Sequence, residues 1–322
     1  MTHQIDLQFD IAVGLPGDAP VRMAASLWVP DRPAAAQRIW CCLPGGNMNR
    51  GYYDLLPPDD ATDISYSFAR QMNARGDLVA AFDYLGIGDS TRPEDGYLLT
   101  PDRLTTANAQ AVGALLQQLR AGQIEGVPAL PALPAIGVGH SMGAMMTVLL
   151  QAQARPYAAL ALLGFSTRGL PEYLSPKVRE LAQDVPAVRA QLVELSKTMF
   201  PVPYPVIKSS GNGAELYGSA KAEPAGVAAL KRATEHVLAV PAFLSMLPGN
   251  VAPEAAQIDV PLFLGLGERD MAGPTHQIPA AFPASHDVTL QILPETGHSH
   301  FLFPARERLF ARLDHWGRGV CT

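Results

Sequence analysis

The ten residues AIGVGHSMGA, Ala135 to Ala144, restrict this chain more than any other stretch. Ala135 to Val138 is a short apolar run, and Ala144 to Ala154 is a helix former without Gly or Pro. Between them Gly139-His140-Ser141-Met142-Gly143 fits G-x-S-x-G. In that motif the Ser occupies a strained turn, and small residues on both sides let strand and helix approach until its oxygen stands out at the sheet's edge. A Ser that only caps a helix would read the same way locally. The pattern alone arises by accident in roughly one chain in ten of this length. Its position between an apolar strand and a long helix is what gives it weight.

The flanking chain repeats the strand and helix rhythm. Ile5 to Val13 and Val21 to Trp28 read as strands joined by the turn-rich Gly14 to Asp18, an antiparallel pair at a sheet edge. Arg38 to Leu43 is a third strand, and a helix over about 65–75 leads to a fourth, Leu78 to Phe82. Pro101 to Ala121 has helical apolar spacing, with Thr100 as cap. Gly122 to Pro134 is a stiff, Pro-rich connector before the motif strand, and Ala158 to Leu163 is the strand after it. This alternation predicts an α/β fold, a mostly parallel, doubly wound sheet covered on both faces.

The rhythm breaks after Gly164. Helices over about 177–183, 187–198 and 225–238, separated by Pro- and Gly-rich stretches, predict a helical cap inserted over 165–258. The core thus comprises 1–164 and 259–322. Strands resume at Val260 to Leu266 and Val288 to Leu293, and a last helix covers about 304–316.

A serine hydroxyl needs a base to take its proton, and the base needs a third group to fix its tautomer. The strand ending at Leu266 runs into Gly267-Glu268-Arg269-Asp270, and the strand ending at Leu293 into Pro294-Glu295-Thr296-Gly297-His298. With Asp83-Tyr-Leu-Gly-Ile-Gly-Asp-Ser90 after the fourth strand, these motifs resemble the α/β-hydrolase superfamily over about 38–164 and from 260 onward. The resemblance implies a catalytic triad of Ser141, Asp270 and His298. Glu268 competes with Asp270, and His300 with His298. His140 reads as a packed histidine of the turn.

The same resemblance implies an oxyanion hole from the amide of Met142 and a second amide in Pro44-Gly45-Gly46-Asn47, where relatives carry His-Gly-Gly. Gly45 and Gly46 both remain open, and the leading His is absent. Ser at the elbow, where related dehalogenases and epoxide hydrolases carry Asp, argues for acyl transfer to water. The expected substrate is a medium-sized hydrophobic ester or lactone, held by Tyr52, Tyr53, Phe200, Tyr204, Phe243 and Met246. Met199, Tyr217 and Leu247 could add to the same apolar surface. Amide, thioester or carbon–carbon bond hydrolysis on the same triad, and ligand binding without catalysis, are the alternatives.

Composition excludes other classes. With 24 basic and 30 acidic residues and no cationic run, nucleic acid is not an expected partner. The apolar run Tyr157 to Phe165 is far too short for a bilayer span, and the N-terminal residues alternate like a strand instead of a signal peptide. His and Cys spacings suit no metal, so no cofactor or metal is expected. Three cysteines, two adjacent in a strand, suggest a reducing cytoplasm. A homo-oligomer built on apolar cap surface is compatible with the sequence.

Overall fold

The computed structural model describes residues 3–17, 20–207 and 221–321. Tyr217 lies outside them. Eight strands form one sheet: β1 (His3–Asp10), β2 (Arg22–Val29), β3 (Ile39–Leu43), β4 (Leu78–Phe82), β5 (Ala135–His140), β6 (Ala159–Leu163), β7 (Leu262–Gly267) and β8 (Val288–Leu293). Their order is β1-β2-β4-β3-β5-β6-β7-β8. β1 and β2 pair antiparallel, β2 pairs antiparallel with β4, and the remaining pairs are parallel. The fold is therefore the expected mostly parallel α/β sheet.

Strands β3 to β7 are buried at every residue, as continuous apolar runs should be when helices cover both faces. The edge strands β1 and β8 are partly open. The sheet separates two cores. Ile39, Cys41 and Leu43 join one, with α2 (Pro101–Ala121) and α3 (Met142–Ala154). Trp40 and Cys42 join the other, with α1 (Phe68–Ala74) and, from the C-terminal end, a helix over Arg306–Val320. Successive side chains of a strand point to opposite faces, so the adjacent cysteines part company.

Local signals set several helix ends. The Ser67 hydroxyl accepts from the Arg70 N–H at 3.0 Å and starts α1. In α2, Thr100 caps the Arg103 amide at 3.3 Å, Pro101 stands in the first turn, and Gly122 ends the helix in a left-handed conformation (φ 65°). The segment between β6 and β7 departs most from expectation. It holds α4 (Pro176–Leu181), α5 (Val185–Ala190), α6 (Leu192–Met199), α7 (Pro224–Ala233), α8 (Ala239–Met246) and α9 (Ala252–Ala255). The expected helix over 187–198 is split at Gln191, and that over 225–238 stops at Ala233 because Thr234 is extended. Helix α8 lies outside the expected helices. Pro241 stands in the first turn, where a missing N–H costs no intrahelical bond.

This segment is not an independent layer. Val178, Val188, Leu192, Leu238 and Phe243 belong to the α2 and α3 core, and Ala229, Leu230 and Ala233 to the other. Helix α10 (Arg306–Val320) runs past the expected end at Trp316, because Gly317 lets it close on Trp40: a Cβ there would meet the indole at 2.8 Å.

The chain order also locates the crevice. Between β3 and β5, neighbours in the sheet, the chain turns first to β4 on one side and then returns to the other. The loops leaving the carboxyl ends of β3 and β5 therefore diverge, and open α/β sheets bind ligands at such a switch point.

Candidate active site

Ser141 joins β5 to α3 with φ 55° and ψ −122°. Such a backbone costs a non-glycine residue about 1–3 kcal/mol and persists only where surroundings hold it. Here the Ser141 N–H donates to the Leu163 carbonyl at 2.8 Å, and the Ser141 carbonyl accepts from the Ala144 N–H at 2.9 Å. Both motif glycines are sterically required. A Cβ on Gly139 would lie 2.4 Å from the Ala144 Cα, and one on Gly143 would lie 2.1 Å from the Leu43 carbonyl oxygen.

Asp270 stands in the turn after β7 and His298 in the loop after β8, as the sequence placed them. The His298 Nδ1–H donates to Asp270 Oδ1 at 2.8 Å, and the Ala272 N–H reaches the same oxygen at 3.0 Å. The Asp270 side chain is wholly buried. Burial pushes its carboxyl up, but the charges and hydrogen bonds of His298 and His300 outweigh that and hold it well below the usual carboxylate range. Gly164, with φ +62°, passes directly over the pair: a Cβ there would be 3.1 Å from the His298 ring and 3.2 Å from Asp270 Oδ2. Glu268, the competing acid, is exposed and accepts the Glu295 N–H at 2.8 Å, on the outside of the turn.

The other histidines do more than compete. His300 is fully buried and its Nε2–H donates to Asp270 Oδ2 at 2.8 Å, so the acid holds one imidazole on each oxygen. His140 is packed as expected, and its Nε2–H donates to the His298 carbonyl at 2.9 Å. Burial, and then the two neighbouring histidines, push the His140 imidazole well below its ordinary value, so it stays neutral. Among the described residues no group of three or more His, Cys, Asp or Glu is arranged to hold a metal ion.

Of the oxyanion candidates, Met142 is the first residue of α3, so its amide has no intrahelical acceptor. The Cα of Gly46 points its missing side chain toward Met142 (3.7 Å to Sδ), whereas that of Gly45 points at His140 Nδ1, 3.0 Å away. Both belong to the loop that Gly143 contacts. A buried ion pair tethers that loop to the turn after β4: the Arg50 N–H donates to Asp83 Oδ1 at 2.7 Å, and the Arg50 guanidinium pairs with Asp83 and Asp89.

Ser141, Met142 and His298 line one cavity of about 30 Å³, together with Gly164, Phe165, Ser166, Gly169, Leu170, Ser245, Met271 and Ala272. It has room for about two waters. None of the six residues expected to hold the substrate lines it, and this corrects the sequence reading. Tyr52 and Tyr53 are fully buried beneath the elbow; Tyr52 stacks on His140 (4.6 Å) and Phe301 (4.9 Å), and the Tyr53 hydroxyl donates to the Leu43 carbonyl at 2.8 Å. Phe243 is core. The Tyr97 hydroxyl donates to the Phe200 carbonyl at 2.6 Å, and Tyr204 donates to the Pro93 carbonyl at 2.6 Å beneath Arg92. Met246 comes nearest, its carbonyl accepting the Leu170 N–H at 2.8 Å while its neighbour Ser245 lines the cavity. Aromatic character in a sequence marks surface to be buried and does not say against what. Apart from Ser245 of α8, the residues that line the cavity follow the carboxyl ends of β5, β6, β7 and β8, and only that place at strand ends could have signalled them.

The sequence profile described as the alpha/beta hydrolase family matches residues 42–311. No curated protein matches the chain in sequence. Many solved structures share its fold. A thermophilic esterase from Thermogutta terrifontis is similar at 15% identity and TM-score 0.58, covering 99% of this chain and 100% of that one. An alpha/beta hydrolase from Penicillium sp. is similar at 18% identity and TM-score 0.60, covering 99% and 100%. A proline iminopeptidase from Mycobacterium smegmatis is similar at 16% identity and TM-score 0.57, covering 98% and 99%. At these identities the likeness is one of fold.

Proposed function

The chain belongs to the alpha/beta hydrolase family, and we propose that it is a serine hydrolase cleaving a carboxylic ester or lactone through a Ser141 acyl-enzyme. One observation carries the reading: the Asp270–His298 hydrogen bond of 2.8 Å ends at a cavity that Ser141 also lines, on a strained elbow. In this mechanism His298 Nε2 takes the Ser141 proton as Oγ attacks the acyl carbon. The Asp270 carboxylate stabilises the resulting imidazolium, and the Met142 amide with one from Gly45 or Gly46 receives the oxyanion. His298 then protonates the leaving alcohol, and a water activated by the same imidazole releases the acid.

The substrate reading is narrowed by size. A cavity of about 30 Å³ takes only a few atoms of a substrate, so a medium-sized hydrophobic ester keeps its bulk at the mouth. No helix among the described residues is long and apolar enough to cross a membrane. Buried Cys41 and Cys42 and the half-buried Cys321, all unpaired, fit a reducing cytoplasm.

Intact mass after treatment with a fluorophosphonate, on the native chain and Ser141→Ala, tests the nucleophile. A single adduct on the native chain alone is expected, with turnover of p-nitrophenyl esters that falls as the acyl chain lengthens. A native chain that neither labels nor turns over any ester refutes the proposal. Matched amide, thioester and ring-fission diketone substrates would then separate the other hydrolytic activities.

A further inference from the structure

A triad needs one imidazole on its acid, and here Asp270 carries two. The geometry is nearly symmetric: His298 Nδ1 to Oδ1 and His300 Nε2 to Oδ2 are both 2.8 Å. The His300 tautomer follows from its neighbours. A lone pair facing a carboxylate at 2.8 Å is repelled, so Nε2 carries the proton toward Asp270, while the Gly267 N–H also points at that atom from 3.2 Å. His300 Nδ1 is buried without a partner.

We propose that His300 is a positioning residue for the reaction: by holding the second oxygen of Asp270 it fixes the carboxylate's rotation and shares the charge that faces His298. This rests on Ser141, Asp270 and His298 acting as the triad. The groups facing the Asp270–His298 pair from each packed element are few. His140 comes from the end of β5 and is neutral by burial. Tyr52 comes from the loop after β3, its phenol pushed well up by burial and then by the Asp270 charge. The Ala272 amide belongs to the acid's own turn. Arg269 in that turn is half exposed and faces Glu295 at 3.7 Å. His300 alone of these side chains donates to the acid's second oxygen.

The test is the kcat/KM–pH profile of the native chain, His300→Leu, His300→Gln and His300→Asn. Gln carries an amide N–H to about the reach of Nε2, whereas Leu has no donor and Asn falls short. Without the donor more carboxylate charge falls on His298, its imidazolium is stabilised, and the acid-limb midpoint rises. The expected rise is about one pH unit, a roughly tenfold loss below the midpoint with little change above it. Gln restores the native midpoint. A purely structural role would lower activity equally at all pH. If Leu does not fold, the Gln and Asn pair makes the same comparison. The His298 imidazole ¹⁵N shifts read this titration without turnover, so a chain with no esterase activity still tests His300. A native midpoint in the donor-less variants, or equal shifts in Gln and Asn, overturns the proposal.

Discussion

Replacing Gly143 by Ala adds one methyl group at the contact between the elbow and the loop after β3. The new Cβ would start 2.1 Å from the Leu43 carbonyl oxygen and 2.5 Å from that of Pro44. Both obstacles are backbone and cannot rotate away. A real Cβ needs at least 3.0 Å, so α3 and the loop must part by about 1 Å. Overpacking of this kind costs roughly 1–3 kcal/mol, and a backbone clash belongs at the upper end. For a chain this long, about 2–3 kcal/mol lowers the melting temperature by roughly 3–4 °C. The functional loss should be larger. The same displacement separates the Met142 amide from Gly45 and Gly46, and a misplacement of about 1 Å can cost on the order of a hundredfold in rate. Thermal unfolding and the rate of fluorophosphonate labelling, measured on the native chain and Gly143→Ala, read both. A variant that melts and labels like the native chain would refute the claim that this glycine holds the site closed.

A matched control comes from Gly113, inside α2 with nothing within 4 Å of its would-be Cβ. Gly113→Ala should raise stability by about 0.5–1 kcal/mol, since Ala loses less conformational freedom in a helix, and melting should show a gain with labelling unchanged. Asp270→Asn should reduce kcat on the order of 10³–10⁴-fold by disturbing the His298 tautomer. Glu268→Gln, on the outside of the turn, should leave kcat within about twofold, and the reverse pattern would exchange the two acids. Arg50→Ala removes the cation from the fully buried Asp83 and should cost about 3 kcal/mol at pH 8. The Asp83 carboxyl is already pushed up by burial, against the pull of Arg50. Without Arg50 it rises further. A folded-state value above the unfolded one favours the fold at low pH and loses that stability as pH rises through it. The variant's deficit should therefore shrink between pH 8 and pH 5, and melting curves with a constant deficit would contradict this.

Much of this architecture is legible in the sequence. Strands β3 to β7 follow from apolar runs, because a strand buried on both faces must be apolar along its length, and the edge strand β1 follows from its alternation of polar and apolar residues. The elbow follows from two glycines around a serine, since a Cβ at either glycine would lie 2.1 to 2.4 Å from backbone atoms. Helix α8 lies beyond the helix expected over 225–238, with Pro241 tolerated in its first turn. The split of 187–198 into α5 and α6 depends on how the segment packs, which periodicity does not encode.

The tertiary structure alone decided which polar and aromatic groups meet. His300 read as a rival to His298, and the fold made it a second donor to the same acid, because Asp270 offers two oxygens. Tyr52 and Tyr53 read as substrate contacts, and the fold spent them on the core beneath the elbow. Arg50 and Asp83 lie 33 positions apart and gave no sign of pairing. Strands and turns are determined by residues a few positions apart, so the sequence carries them openly. A cavity's lining and an acid's partners are set by loops that only the closed sheet brings together, and no local pattern records that.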